Sequence, residues 1–192
     1  MQGVAHGPVP ARLKALFALL AVGVVCAGIL VGGDRVAHAL RYERNALLDG
    51  QLWRALTGHL VHLSWRHLAF NMGLGTIAVA LFGRDLRWQA ALICALGVTA
   101  GLFLGSIRVG WYAGLSGVMY GILVNGALNA SRRQRLWLAV AGLVVAKLVV
   151  DEFRPTPHGA DGNAIIVDAH LYGAIAGALA FAILYRPRRT RL

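Results

Sequence analysis

Six apolar runs, each close to the length that carries a helix across a bilayer, divide this 192-residue chain. A spanning helix needs about 20 mostly apolar residues, and such runs lie at 15–33, 67–83, 88–107, 115–131, 136–150 and 169–185. The first is uncharged and the fifth carries a single lysine, Lys147. The start of the fourth stays open, because residues 109–115 are also uncharged. With 58% hydrophobic and only 14% charged residues, the chain lacks the polar surface that a soluble domain of this size requires. The expectation is an all-α membrane protein, a six-transmembrane-helix bundle forming a single integral membrane domain over residues 1–192.

A formal charge of +11 would suit a nucleic-acid binder, but its distribution excludes one. The bases sit in short clusters between apolar runs, without a basic stripe interleaved with aromatics. Arg12 and Lys14 precede the first run; Arg84 and Arg87 follow the second. Arg132, Arg133 and Arg135 follow the fourth; Arg186, Arg188, Arg189 and Arg191 follow the sixth. Six spans put all four clusters on one face, which the positive-inside rule makes cytoplasmic. Both termini are then expected in the cytoplasm of a bacterium, the protein being multi-pass in its inner membrane. The stretch from Arg12 to Ala37-His38-Ala39 also resembles a cleavable signal peptide, but its apolar run is long for that role and reads better as a span.

Cys26 and Cys94 fall within apolar runs and read as small core residues. The two long connections, 34–66 and 151–167, lie on the outer face. The first is expected to fold back on the bilayer surface as short interfacial helix. The second, with Pro155, Pro157, Gly159 and Gly162, reads as a mobile loop.

Polar groups inside such runs are costly and mark candidate sites. The second, fourth and sixth runs all descend from outside to inside, so depth can be counted from the first arginine after each. Ser116 and His170 then lie at the same height, with His67 and Asn71 close to it. At about 1.5 Å per residue, all four sit roughly 20–25 Å above the inner boundary of a core about 30 Å thick. His67 and Asn71, at i and i+4, share one helix face. Ser116 and Tyr120 share another, beside Gly117 and Gly121; His170, Gly173 and Gly177 share a third. Both glycine pairs have the spacing that lets membrane helices approach backbone to backbone. Taken singly, a serine bonded to its own helix, a packing histidine and a Gly-xxx-Gly are all ordinary. Their common depth and facing set them apart.

A serine needs a neighbouring base to become a nucleophile, and a neutral histidine supplies one. Asp168, two residues from His170, points elsewhere on a helix and reads as the N-terminal cap of the sixth span. The oxyanion of an acyl-transfer intermediate would draw on backbone N–H groups at the start of the fourth helix, with His67 and Asn71 adding side-chain donors. Tyr120 is placed to stack on the imidazole. The context Gly114-Leu115-Ser116-Gly117 is not the Gly-x-Ser-x-Gly elbow of soluble esterases, since residue 118 is valine.

Gly114-Leu-Ser-Gly-Val-Met-Tyr120, Ala169-His-Leu-Tyr-Gly173 with Gly177, and His62-x4-His67-x3-Asn71 preceded by Trp53-Arg54 closely resemble the rhomboid intramembrane proteases. The resemblance runs from about residue 53 to residue 182 and implies a six-helix rhomboid-like bundle. It implies Ser116 as nucleophile, His170 as base, His67 and Asn71 at the oxyanion, and Tyr120, Gly114 and Gly117 in support. Thr57-Gly-His-Leu-Val-His62 and Val167-Asp-Ala-His-Leu-Tyr-Gly-Ala174 further resemble the rhombosortase branch. That branch implies membrane-anchored, single-span substrates with C-terminal Gly-Gly sorting tails, cut at a site opening to the extracytoplasmic side. Two alternatives of the same fold are a rhomboid protease with other single-span substrates and a non-catalytic protein that binds membrane clients. A metal or haem protein built on His59, His62, His67 and His170 is the rival from another class. It lacks a His-Glu-x-x-His and any carboxylate on the second span, so no metal or cofactor is expected.

Overall fold

The computed structural model describes residues 9–154 and 165–184. Its six long helices fall on the six apolar runs: α1 (Ala11–Val31), α5 (Trp65–Phe82), α6 (Trp88–Leu104), α7 (Ser116–Ser131), α8 (Leu136–Glu152) and α9 (Val167–Leu184). Between α1 and α5 the chain forms α2 (Gly33–Leu40), β1 (Tyr42–Glu43), α3 (Arg44–Leu48) and α4 (Arg54–Thr57); β2 (Trp111–Tyr112) precedes α7. By length and apolarity α1 and α9 each suffice to cross a bilayer, and α6 is a shorter apolar helix. Large apolar side chains stand exposed on every long helix except the central α7, among them Val24, Phe70, Leu104, Leu143 and Ile183. An apolar girdle of this extent suits a hydrocarbon solvent rather than water.

The helix ends differ from the sequence reading by a few residues, each for a local reason. α1 stops before Gly33, whose φ of +72° turns the chain into α2. α5 begins two residues early because Ser64 caps it, its Oγ accepting the His67 N–H at 3.1 Å. α7 begins at Ser116, after a turn in which Gly114 takes φ +126°. Asp168 does not cap α9: it lies inside the first turn, and its carboxylate accepts from the Ser106 hydroxyl.

The first connection is a fastened unit of three short helices and one strand. β1 pairs antiparallel with β2, Tyr42 opposite Tyr112 and Glu43 opposite Trp111. Buried Arg54 ties the unit together, donating from Nη1 to the carbonyls of His38 (2.7 Å) and Arg41 (2.9 Å) and from Nε to Gln51 Oε1 (2.7 Å). Most of the second connection, including its prolines and glycines, lies outside the described residues, as does the arginine cluster after α9.

α7 occupies the middle, against α5, α6, α8 and α9. Its contact with α9 runs through glycine. A Cβ on Gly117 would stand 2.6 Å from the Ala169 carbonyl oxygen, and one on Gly121 would stand 2.5 Å from that of Gly173. Real Cβ atoms do not approach so closely, so the two backbones meet only because these side chains are absent.

Candidate active site

Every group that singles out this bundle lies near the N-terminal end of α7. The chain reaches it through a constrained turn. The Gly114 N–H donates to the Gly58 carbonyl (3.1 Å), and the Tyr112 hydroxyl donates to the Gly114 carbonyl (2.7 Å). A Cβ on Gly114 would meet the His67 ring at 2.8 Å, so a side chain is excluded by space as well as by φ. The turn thus brings the His67 imidazole beside the residue two before Ser116.

Ser116 is the first residue of α7, where backbone N–H groups have no partner within the helix. Its Oγ lies 2.9 Å from His170 Nε2, a side chain 54 positions later on α9. His170 is 7% exposed, and its other ring nitrogen, Nδ1, has no hydrogen-bond partner among the described residues. With Nδ1 carrying the proton, Nε2 is free to accept from the serine hydroxyl. Tyr120 lies one turn below Ser116; its ring is tilted at 44° to the imidazole, with centroids 4.7 Å apart. Asn71 is buried on α5 and donates from Nδ2 to the His67 carbonyl at 3.2 Å. The His67 ring meets His62 edge to face at 4.9 Å.

Residues 49–187 match the family model for the rhomboid domain, a segment that contains all of these groups. The chain belongs to the rhomboid family. It is therefore an integral membrane protein. It is similar to the rhomboid protease GlpG of Enterobacter sp. (strain 638), 27% identical over 172 residues, which cover 83% of this chain and 59% of that protein. This rhomboid spans about 59% of the length of the curated relative it matches.

Three features of the rhomboid site escape the sequence reading. Lys147 pairs with Asp151 (Nζ to Oδ2, 2.5 Å), as their i, i+4 spacing allows, but what the spacing does not show is its bond to the Tyr120 hydroxyl (3.4 Å), joining α8 to the residue that packs on His170. The Asp168 carboxylate is held by Ser106, which also meets the Tyr172 hydroxyl at 3.1 Å. His59 is a clamp on the first connection. Its Nε2 donates to the Ala95 carbonyl (2.9 Å) and lies 3.1 Å from Thr99 Oγ1, which in turn donates to the Ala55 carbonyl (2.7 Å). Because a carbonyl only accepts, that nitrogen carries the proton, and it is spoken for. Burial pushes His59 down to about 4 and, with His67 nearby, His62 to about 4 as well. Among the described residues no group of three His, Cys, Asp or Glu side chains is arranged to hold a metal. None of these three features has a signature in spacing, since each joins residues far apart in the chain.

Proposed function

We propose that this rhomboid is an intramembrane serine endopeptidase in which Ser116 is the nucleophile and His170 the general base. The observation that carries the reading is the 2.9 Å approach of Ser116 Oγ to His170 Nε2. As Oγ attacks the scissile carbonyl, its proton passes to Nε2; the imidazolium then returns that proton to the leaving amine as the C–N bond breaks. Water completes the cycle: it gives a proton to His170 as its oxygen attacks the acyl carbon, and His170 returns that proton to Ser116 Oγ as the acyl C–O bond breaks. The backbone N–H at the start of α7 and the side chains of His67 and Asn71 serve the oxyanion. Gly114 and Gly117 give these groups room, and Tyr120 holds the imidazole's plane. With neither a carboxylate nor another hydrogen-bond acceptor on Nδ1 among the described residues, orientation of the base falls to packing.

In this reading the chain is one integral domain of six spans, with both termini cytoplasmic and the site opening to the extracytoplasmic side of the bacterial inner membrane. The substrates are single-span anchored proteins. The rhombosortase-like residues from Thr57 to His62 and from Val167 to Ala174 favour C-terminal Gly-Gly tails, a preference that would suit a crowded cleft admitting only residues without bulk.

The test is cleavage of a single-span substrate with a Gly-Gly tail, followed by mass measurement of the products. Ser116→Ala and His170→Ala are expected to abolish it, and a fluorophosphonate probe is expected to label wild type but not Ser116→Ala. Undiminished cleavage by either variant removes the assignment. Probe labelling lost in neither, or gained by neither, favours a client-binding protein instead. Cleavage that persists when the substrate glycines become valine removes the Gly-Gly preference and leaves the protease.

A further inference from the structure

A cavity of about 670 Å³ lies between α1 and α6, on a side of the bundle that the proposed chemistry does not use. It exists because the facing walls are built from small residues. Ala18 on α1, Ala78 on α5 and Ala91 on α6 line it, and α1 packs on α5 without packing closely on α6. Its outer end is roofed by Leu56 and Leu60 of the first connection, which the His59 clamp holds onto α6. Its other end reaches Lys14, Arg87 and Trp88.

We infer that this cavity binds one anionic phospholipid, its acyl chains between α1 and α6 and its phosphate between Lys14 and Arg87. The walls are almost wholly apolar, so water has few partners there, while an empty space would forfeit packing on every side. From Ala11 to Val22 the lined part of α1 is roughly 16 Å long. A substrate helix crossing the membrane needs about 30 Å and could not pass the roof. Hydrocarbon chains entering from one leaflet fit both limits.

Charge at the mouth selects the headgroup. Lys14 has no acidic partner among the described residues. Arg87 donates one N–H to the Leu184 carbonyl at 3.3 Å, leaving further N–H groups for a phosphate oxygen. The nearby acid, Asp85, is taken by Arg133 through two bonds of 2.8 and 2.6 Å. Two cations with no counter-charge thus flank an apolar slot, with an exposed tryptophan of the kind that sits at the headgroup level beside them.

Native mass spectrometry of the full chain in detergent, titrated with phosphatidylglycerol and phosphatidylcholine of identical acyl chains, tests this directly. One phosphatidylglycerol should be retained in preference to phosphatidylcholine by roughly tenfold or more. Lys14→Gln with Arg87→Gln should abolish the preference while retention of both lipids persists. Ala91→Trp, which fills the slot, should remove retention of both, its unfolding temperature showing that the bundle remains folded. Inorganic phosphate at equal concentration should not displace the lipid, since the chains hold it. Equal retention of the two lipids by wild type, or undiminished retention by a folded Ala91→Trp, overturns the inference. If Ala91→Trp does not fold, Ala18→Phe fills the same slot from α1 and is read by the same outcomes. Neither result bears on proteolysis, because no residue of the proposed catalytic set is altered.

Discussion

Gly121 and Gly173 meet backbone to backbone: a Cβ on the first would lie 2.5 Å from the carbonyl oxygen of the second and 2.6 Å from Cys94 Sγ. The glycine contact sets the spacing of α7 and α9, and that spacing brings Ser116 and His170 to 2.9 Å. Bulk introduced at the glycines should therefore act on chemistry and stability together. Gly121→Val should destabilise the bundle by about 1–3 kcal/mol or more and lower cleavage by well over tenfold. Gly142→Ala on α8 is the control, since nothing lies within 4 Å of its added Cβ. It should keep activity and gain up to about 1 kcal/mol from helix propensity. Unfolding in detergent and a cleavage assay read both variants.

Lys147 touches the proposed site at Tyr120. Lys147→Met keeps the length and apolar stem of the side chain but loses the bond to the Tyr120 hydroxyl. Turnover should fall roughly threefold to tenfold with KM unchanged, Tyr120→Phe should do the same, and the double variant should fall no further. A rise in KM alone would assign Lys147 to substrate contact instead.

Arg54 is buried with three hydrogen-bond acceptors and the Glu43 carboxylate (3.8 Å) around it, so its removal strands the His38 and Arg41 carbonyls and the Gln51 side chain and leaves Glu43 without this partner. Arg54→Ala should cost about 3 kcal/mol or more, read as a lower unfolding temperature. Arg54→Lys should recover only part of the loss, because an ammonium cannot reproduce the planar fork.

Acid should loosen the first connection. His59 is neutral in the fold, with a pKa pushed by burial from 6.5 down to about 4. The unfolded chain therefore binds a proton that the native state does not, and stability falls as pH drops from about 6.5 to about 4, then levels off. The expected loss from this residue is on the order of 3 kcal/mol. Thermal unfolding measured between pH 7 and pH 4 should show it, and His59→Gln should make the profile shallower, the slope from His62 remaining, while lowering stability at neutral pH.

Much of the architecture is legible in composition and period. Six apolar runs became six long helices because uninterrupted apolar sequence leaves the backbone no hydrogen-bond partner in hydrocarbon except itself. The common height of Ser116 and His170, and the glycine pairs beneath them, could be read by counting residues from the arginines, since helical rise is fixed. Contacts between distant segments could not. The pairing of Tyr42 with Tyr112, the grip of His59 on Ala95 and the reach of Lys147 to Tyr120 depend on how whole helices and connections pack. Asp168 shows the difference most plainly: its local sequence suited a cap, and the capping role was lost to Ser106, 62 residues away. Local chemistry determines which helices form and what they carry; close packing alone decides which of their side chains meet.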